Sequence, residues 1–93
     1  MRLSIALFTA SAMLASSAQA QDAVADFYRG KSLTMVVGSS AGGGYDLYAR
    51  LVARFMSKYI PGNPNVVVQN MPGAGGNTSA AFVANVAPKD GTI

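Results

Sequence analysis

A short apolar run, a glycine-rich turn and an amphipathic stretch occur in that order twice, and this repeat constrains the fold more than any other feature. The first copy is Leu33-Thr34-Met35-Val36-Val37, then Gly38-Ser39-Ser40-Ala41-Gly42-Gly43-Gly44, then a helical pattern from Tyr45. The second is Val66-Val67-Val68-Gln69-Asn70, then Met71-Pro72-Gly73-Ala74-Gly75-Gly76-Asn77, then a helical pattern from Thr78. Tandem strand, loop and helix units predict an α/β fold with a parallel sheet, whose crossovers are right-handed. Ligands of open parallel sheets bind beside the loops at the carboxyl ends of the strands. Both glycine-rich turns are therefore candidate parts of one small-molecule site.

The periodicity fills in the elements. Asp22 to Arg29 has the apolar spacing of a short helix, with Asp22 placed to cap it and Gly30 to break it. Leu33 to Val37 is almost wholly apolar, as in a strand covered on both faces. From Asp46 to Tyr59, Leu47, Leu51, Val52, Phe55, Met56 and Tyr59 recur at helical spacing and predict one buried face. Arg50, Arg54 and Lys58 form a basic stripe that reads as a solvated surface. Ile60-Pro61-Gly62-Asn63-Pro64 ends the helix. Asp90 to Ile93 has the look of a turn entering a third strand, so the chain reads as the N-terminal part of a longer protein.

The first twenty residues have the three parts of a secretory signal: Arg2, an apolar segment from Leu3 to Leu14, and Ala18-Gln19-Ala20 at the cleavage point. The expectation is export to the periplasm and a mature start at Gln21. There is no cysteine and no histidine, which removes thiolate metal sites, disulfides and the commonest general base. Past the signal, six basic and four acidic residues leave a net charge of 6 − 4 = +2, with no basic cluster of the kind nucleic acid requires. No metal, cofactor or catalytic group is expected.

Known phosphate and nucleophile motifs fit poorly. A Walker A loop at Gly38 to Gly43 would require Lys and Ser/Thr where Gly44 and Tyr45 stand, and a dinucleotide fingerprint from Gly42 would require glycine at Leu47. Gly38-Ser39-Ser40-Ala41-Gly42 does match the G-x-S-x-G nucleophile elbow, so a secreted α/β serine hydrolase using Ser40 is the alternative function. The favoured one is an anion cradle. Glycine permits close backbone approach, and the unpaired first N–H groups of a helix attract a carboxylate or phosphate. Asp46 and Asn77 read first as helix caps and second as ligand contacts, while Tyr45 and Tyr48 read as packing or pocket-lining residues.

The runs FYRGKSLTMVVGSSAGGGYDLYARLVARFM, IPGNPNVVVQNMPGAGGNTSAA and VAPKDGTI, together with the export signal, resemble the N-terminal part of the tripartite tricarboxylate transporter substrate-binding proteins, the Bug family. The resemblance implies a two-domain solute-binding protein of the periplasmic type II class. Residues 21–93 would be the start of its first domain, with the second domain and hinge further on. It implies a monomer that captures a small organic carboxylate for membrane permease subunits, without catalysis. It also places the ligand carboxylate at the loops after the first two strands: here Ser39, Ser40, Ala41, Gly42, Gly43, Gly44 and Asp46, and Gly73, Ala74, Gly75, Gly76 and Asn77. Tyr45 stands where many members have Thr, and Ser39-Ser40-Ala41 where aromatic or proline residues are common.

Overall fold

The computed structural model describes residues 19–93. Residues 1–18, most of the expected signal, lie outside them. The described chain opens with a helix, α1 (residues 19–28), and continues with β1 (Ser32–Val37), α2 (Gly44–Met56), β2 (Asn65–Asn70) and α3 (Asn77–Asn85). Single turns of 3-10 helix at Ser57–Tyr59 and Ala74–Gly76 join them. Helix α1 already runs at residue 19, so Asp22 lies inside it and does not cap it. Gly30 ends this segment with φ of 76°, a conformation that favours glycine.

Strands β1 and β2 pair in parallel from Ser32↔Asn65 to Val37↔Asn70. The expected α/β architecture holds, and both glycine-rich loops leave one edge of the sheet. Beyond the strands the ladder continues, with the Met71 N–H donating to the Val37 carbonyl at 2.8 Å. Residues of one parity on β1 turn their backbone groups toward β2, and the others face the opposite edge. Thr34 is of the second kind, and its N–H donates to the Thr92 carbonyl at 2.8 Å. The segment expected to enter a third strand thus lies along the free edge of β1, opening with a turn in which the Asp90 carboxylate accepts from the Thr92 N–H at 3.0 Å and hydroxyl at 2.6 Å. No strand is assigned there.

Leu33 to Val37 of β1 run half-buried to buried without alternation; β2 differs, and one expectation about burial, for α2, is corrected. Strand β2 alternates between half-buried Val66, Val68 and Asn70 and exposed Asn65, Val67 and Gln69, so it is covered on one face only. On α2 the buried residues are Asp46 and Ala53, while Leu51, Phe55 and Tyr59 stay 52 %, 50 % and 77 % exposed. Asp46, Arg50, Ala53 and Ser57 follow one another at intervals of three and four, which aligns them along a single edge of the helix. That edge meets the sheet, and the apolar face points away from it. Periodicity establishes that a helix has an apolar face, and the packing of α2 shows that this face and the sheet-facing one are different.

Candidate functional site

The two loops touch. A methyl group added at Gly38 would lie 2.5 Å from the Ser79 hydroxyl oxygen and 3.0 Å from the Gly76 Cα. Gly38 therefore serves close approach: its missing side chain lets the end of β1 pack on the start of α3. Beside this contact opens a hollow of about 320 Å3 lined by Gly38, Ser39, Tyr45, Gly75, Gly76 and Ser79. Larger hollows of about 510 and 560 Å3 lie elsewhere, with almost wholly apolar walls around Met35 and Met56 and around Leu51 and Phe55.

Backbone geometry builds the second loop. Gly73, Ala74, Gly75 and Gly76 have φ of 143°, 49°, 63° and 96°, a left-handed run closed by the Gly76 N–H on the Gly73 carbonyl at 3.0 Å. Ala74 is the one non-glycine in the run, a conformation costing about 1–3 kcal/mol that concentrates at ligand sites. The Ser79 hydroxyl ties the loop to α3 by donating to the Gly76 carbonyl at 2.8 Å.

Side chains hold the first loop. The Asp46 carboxylate, 3 % exposed, accepts from the Gly42 N–H at 2.8 Å, from Arg50 Nε at 3.0 and 3.1 Å, and from Asn70 Nδ2 at 2.8 Å. Those bonds, chiefly the Gly42 N–H, then Arg50 and Asn70, hold its pKa at about 2, below the ordinary 3.8. Asn70 also donates to the Ser39 carbonyl at 3.0 Å and accepts from Arg50 Nη2 at 2.9 Å.

The expected caps are corrected by this geometry. Gly43 caps α2 and Gly76 caps α3, both without a side-chain hydrogen bond. Asp46 reaches back past the cap to Gly42, and Asn77 is the first helical residue of α3. Helix α2 thus begins with N–H groups that no side chain satisfies, a ready position for an anion, whereas at α3 the Asn77 and Thr78 N–H groups donate to the Ala74 and Gly73 carbonyls of the second loop.

Of the residues predicted from sequence, Ser39, Gly75 and Gly76 line the hollow. Ser40, Ala41, Gly42, Gly43 and Gly44 lie exposed along the first loop and helix start. Gly73, Ala74 and Asn77 flank the hollow in sequence without lining it, and Asp46 is buried. Gly38, Tyr45 and Ser79 complete its wall. Tyr45 is 80 % exposed and matches the pocket-lining role expected of it. Ser79 was legible only as a residue one turn into a helix. The Ser39 hydroxyl oxygen is buried without a hydrogen-bond partner among the described residues, a donor and acceptor left over where the loops meet. The Ser40 hydroxyl makes no hydrogen bond among them either.

Fold and site together define a parallel α/β unit that presents two glycine-rich loops and two helix starts without side-chain caps on one sheet edge. Its relatives share one description. The chain is 43 % identical over 84 residues to a UPF0065 protein in the TAR-I ttuE-ttuC' intergenic region of Agrobacterium vitis. It is 40 % identical over 84 residues to a UPF0065 protein in the gbd 5' region of Cupriavidus necator, and 36 % identical over 87 residues to a UPF0065 protein of Bordetella bronchiseptica. These matches cover 90 %, 90 % and 94 % of this chain and 22 %, 25 % and 25 % of the relatives. The chain thus spans about a quarter of the length of the curated relatives it matches. No family model and no solved structure matches it.

Proposed function

We propose that this chain is the N-terminal part of a periplasmic solute-binding receptor of the Bug family, which captures a small organic carboxylate and delivers it to a tripartite tricarboxylate-type permease. The relatives support the family assignment, because UPF0065 proteins are Bug proteins, a family of binders and not of enzymes. The observation that carries the ligand class is the meeting of the α2 start, which no side chain caps, with the second glycine-rich loop and the unpartnered Ser39 hydroxyl at one polar hollow. In this reading the carboxylate takes its hydrogen bonds from first-turn N–H groups of α2 and from the unpartnered Ser39 hydroxyl, because the Asn77 and Thr78 N–H groups and the Ser79 hydroxyl already donate to the Ala74, Gly73 and Gly76 carbonyls. Gly75 and Gly76 allow the close approach. Asp46 stays off the ligand, since its oxygens are already engaged and its charge would repel a carboxylate. No observation favours the hydrolase alternative at Ser40.

Calorimetric titration of the full-length protein with succinate, citrate, benzoate and glutamate tests this. Binding of at least one is expected, abolished by Ser79→Phe, which fills the hollow, in a variant that circular dichroism shows folded. Absence of binding to all four, or undiminished binding by Ser79→Phe, refutes the site. A periplasmic protein whose N-terminus is Gln21 is the expected result of fractionation and N-terminal sequencing.

A further inference from the structure

Asn70 ends β2 outside the hollow, yet its carboxamide joins β2 to both the first loop and α2. One Nδ2 hydrogen goes to the Ser39 carbonyl at 3.0 Å and the other to Asp46 Oδ1 at 2.8 Å, while Oδ1 accepts from Arg50 Nη2 at 2.9 Å. A side chain of this length that donates twice and accepts once is asparagine and no other. The partners also fix its orientation, because a reversed amide would set its oxygen against the Ser39 carbonyl and the Asp46 carboxylate. Asp46 is held by Arg50 and by the Gly42 N–H, so the network grips the first loop at two points, Ser39 and Gly42. The residue gripped at the first point lines the hollow and has the unpartnered buried hydroxyl.

We propose that Asn70 is a positioning residue for ligand capture, fixing the Ser39 peptide, and with it the Ser39 hydroxyl, against the second loop. The inference rests on the receptor reading given above. It makes the first loop preorganised, since protein groups alone supply the bonds that hold Ser39 and Gly42. It also assigns the Asp46–Arg50 pair a purpose beyond stability: with Arg50 on one side and Asn70 on the other, the buried carboxylate orients the amide that orients the loop.

The test uses the full-length protein and the same four carboxylates, at a temperature where circular dichroism shows each variant folded. Asn70→Ala is expected to weaken binding by about tenfold or more, the effect of misplacing one hydrogen-bonding group, while Gln69→Ala, its exposed neighbour, leaves affinity unchanged. Asn70→Asp separates positioning from a merely structural role. Its carboxylate has the shape of the amide but no donor, and it faces the Asp46 carboxylate on one side and the Arg50 guanidinium on the other. At pH 8 binding is expected to be weak, and as the pH falls toward 5 the ratio to the wild type is expected to recover as protonation returns an O–H donor. Asn70→Ala binding within twofold of the wild type overturns the inference and leaves the receptor reading intact, as does a pH-independent loss in Asn70→Asp. A wild-type protein that binds none of the four overturns both.

Discussion

The two glycine-rich loops look alike in sequence and are held by different means. The first is fastened by side chains from elsewhere, with Asp46 on the Gly42 N–H and Asn70 on the Ser39 carbonyl. The second is fastened by its own backbone, through four successive residues of positive φ and a turn closed on the Gly73 carbonyl. Glycine means something different in each. In the second loop Gly73, Gly75 and Gly76 adopt conformations that other residues reach only with strain. In the first, Gly42 alone of its three consecutive glycines has positive φ, at 91°, and Gly43 is extended with φ of −79°.

The largest effect that would break this comparison is at Gly73. Its φ of 143° combines with a Thr78 hydroxyl oxygen 2.6 Å from where a methyl would sit, so Gly73→Ala is expected to destabilise the full-length protein by about 3 kcal/mol. Urea denaturation measures it, and a loss under about 1 kcal/mol would mean the second loop does not depend on its backbone geometry. Next is acid. The Asp46 pKa is depressed, so its contribution is fully present above about pH 4 and lost as the pH falls through 4 toward 2. Asp46→Asn is expected to lower the urea midpoint at pH 7, and the gap to the wild type should close between pH 4 and 2. A gap that persists at pH 2 would show that the carboxylate charge is not what fastens the first loop. Smaller again is Gly75→Ala, where φ is 63° and no atom lies within 4 Å. Strain alone operates there, about 1 kcal/mol, and a much larger loss would reveal a contact the loop geometry does not show.

The same contrast explains what the sequence disclosed. Parallel pairing, the order of the elements and the meeting of both loops at one edge follow from apolar runs and glycine clusters, which are local patterns, and all three hold. The Asp46–Arg50 pair lies at helical i,i+4 spacing, a local pattern the sequence shows, though the repeat of Arg50 with Arg54 and Lys58 points equally to a solvated stripe. Asn70 could not be found that way. Its contacts with Asp46 and Ser39 span 24 and 31 residues of sequence, and no local rule links the last residue of a strand to a loop so distant. For Asp46 the local rule misled: a carboxylate near a helix start is usually a cap, and here a more distant amide and a loop N–H have taken it. The outward apolar face of α2 belongs to the same class, because periodicity gives the width of a face and leaves its partner to the tertiary fold.

The smallest effects sharpen the comparison most, because they separate conformation from function within the first loop. Gly44 is the first helical residue of α2 with nothing within 4 Å of an added methyl, so Gly44→Ala is expected to be neutral or to stabilise by about 0.5 kcal/mol. Gly43 is the N-cap in an extended conformation, and a methyl there meets only the Ser40 carbonyl at 3.8 Å. Gly43→Asp is accordingly expected to stabilise by about 0.5 kcal/mol, through an N-cap acceptor and a negative charge at the helix start. The same carboxylate would occupy the N–H groups proposed for the ligand, so affinity for the bound carboxylate should fall by about tenfold or more. Thermal denaturation and calorimetry on one protein sample read both quantities. Opposite signs would mean that Gly43 is retained to leave the helix start open. Destabilisation together with unchanged binding would place the anion site on the second loop alone.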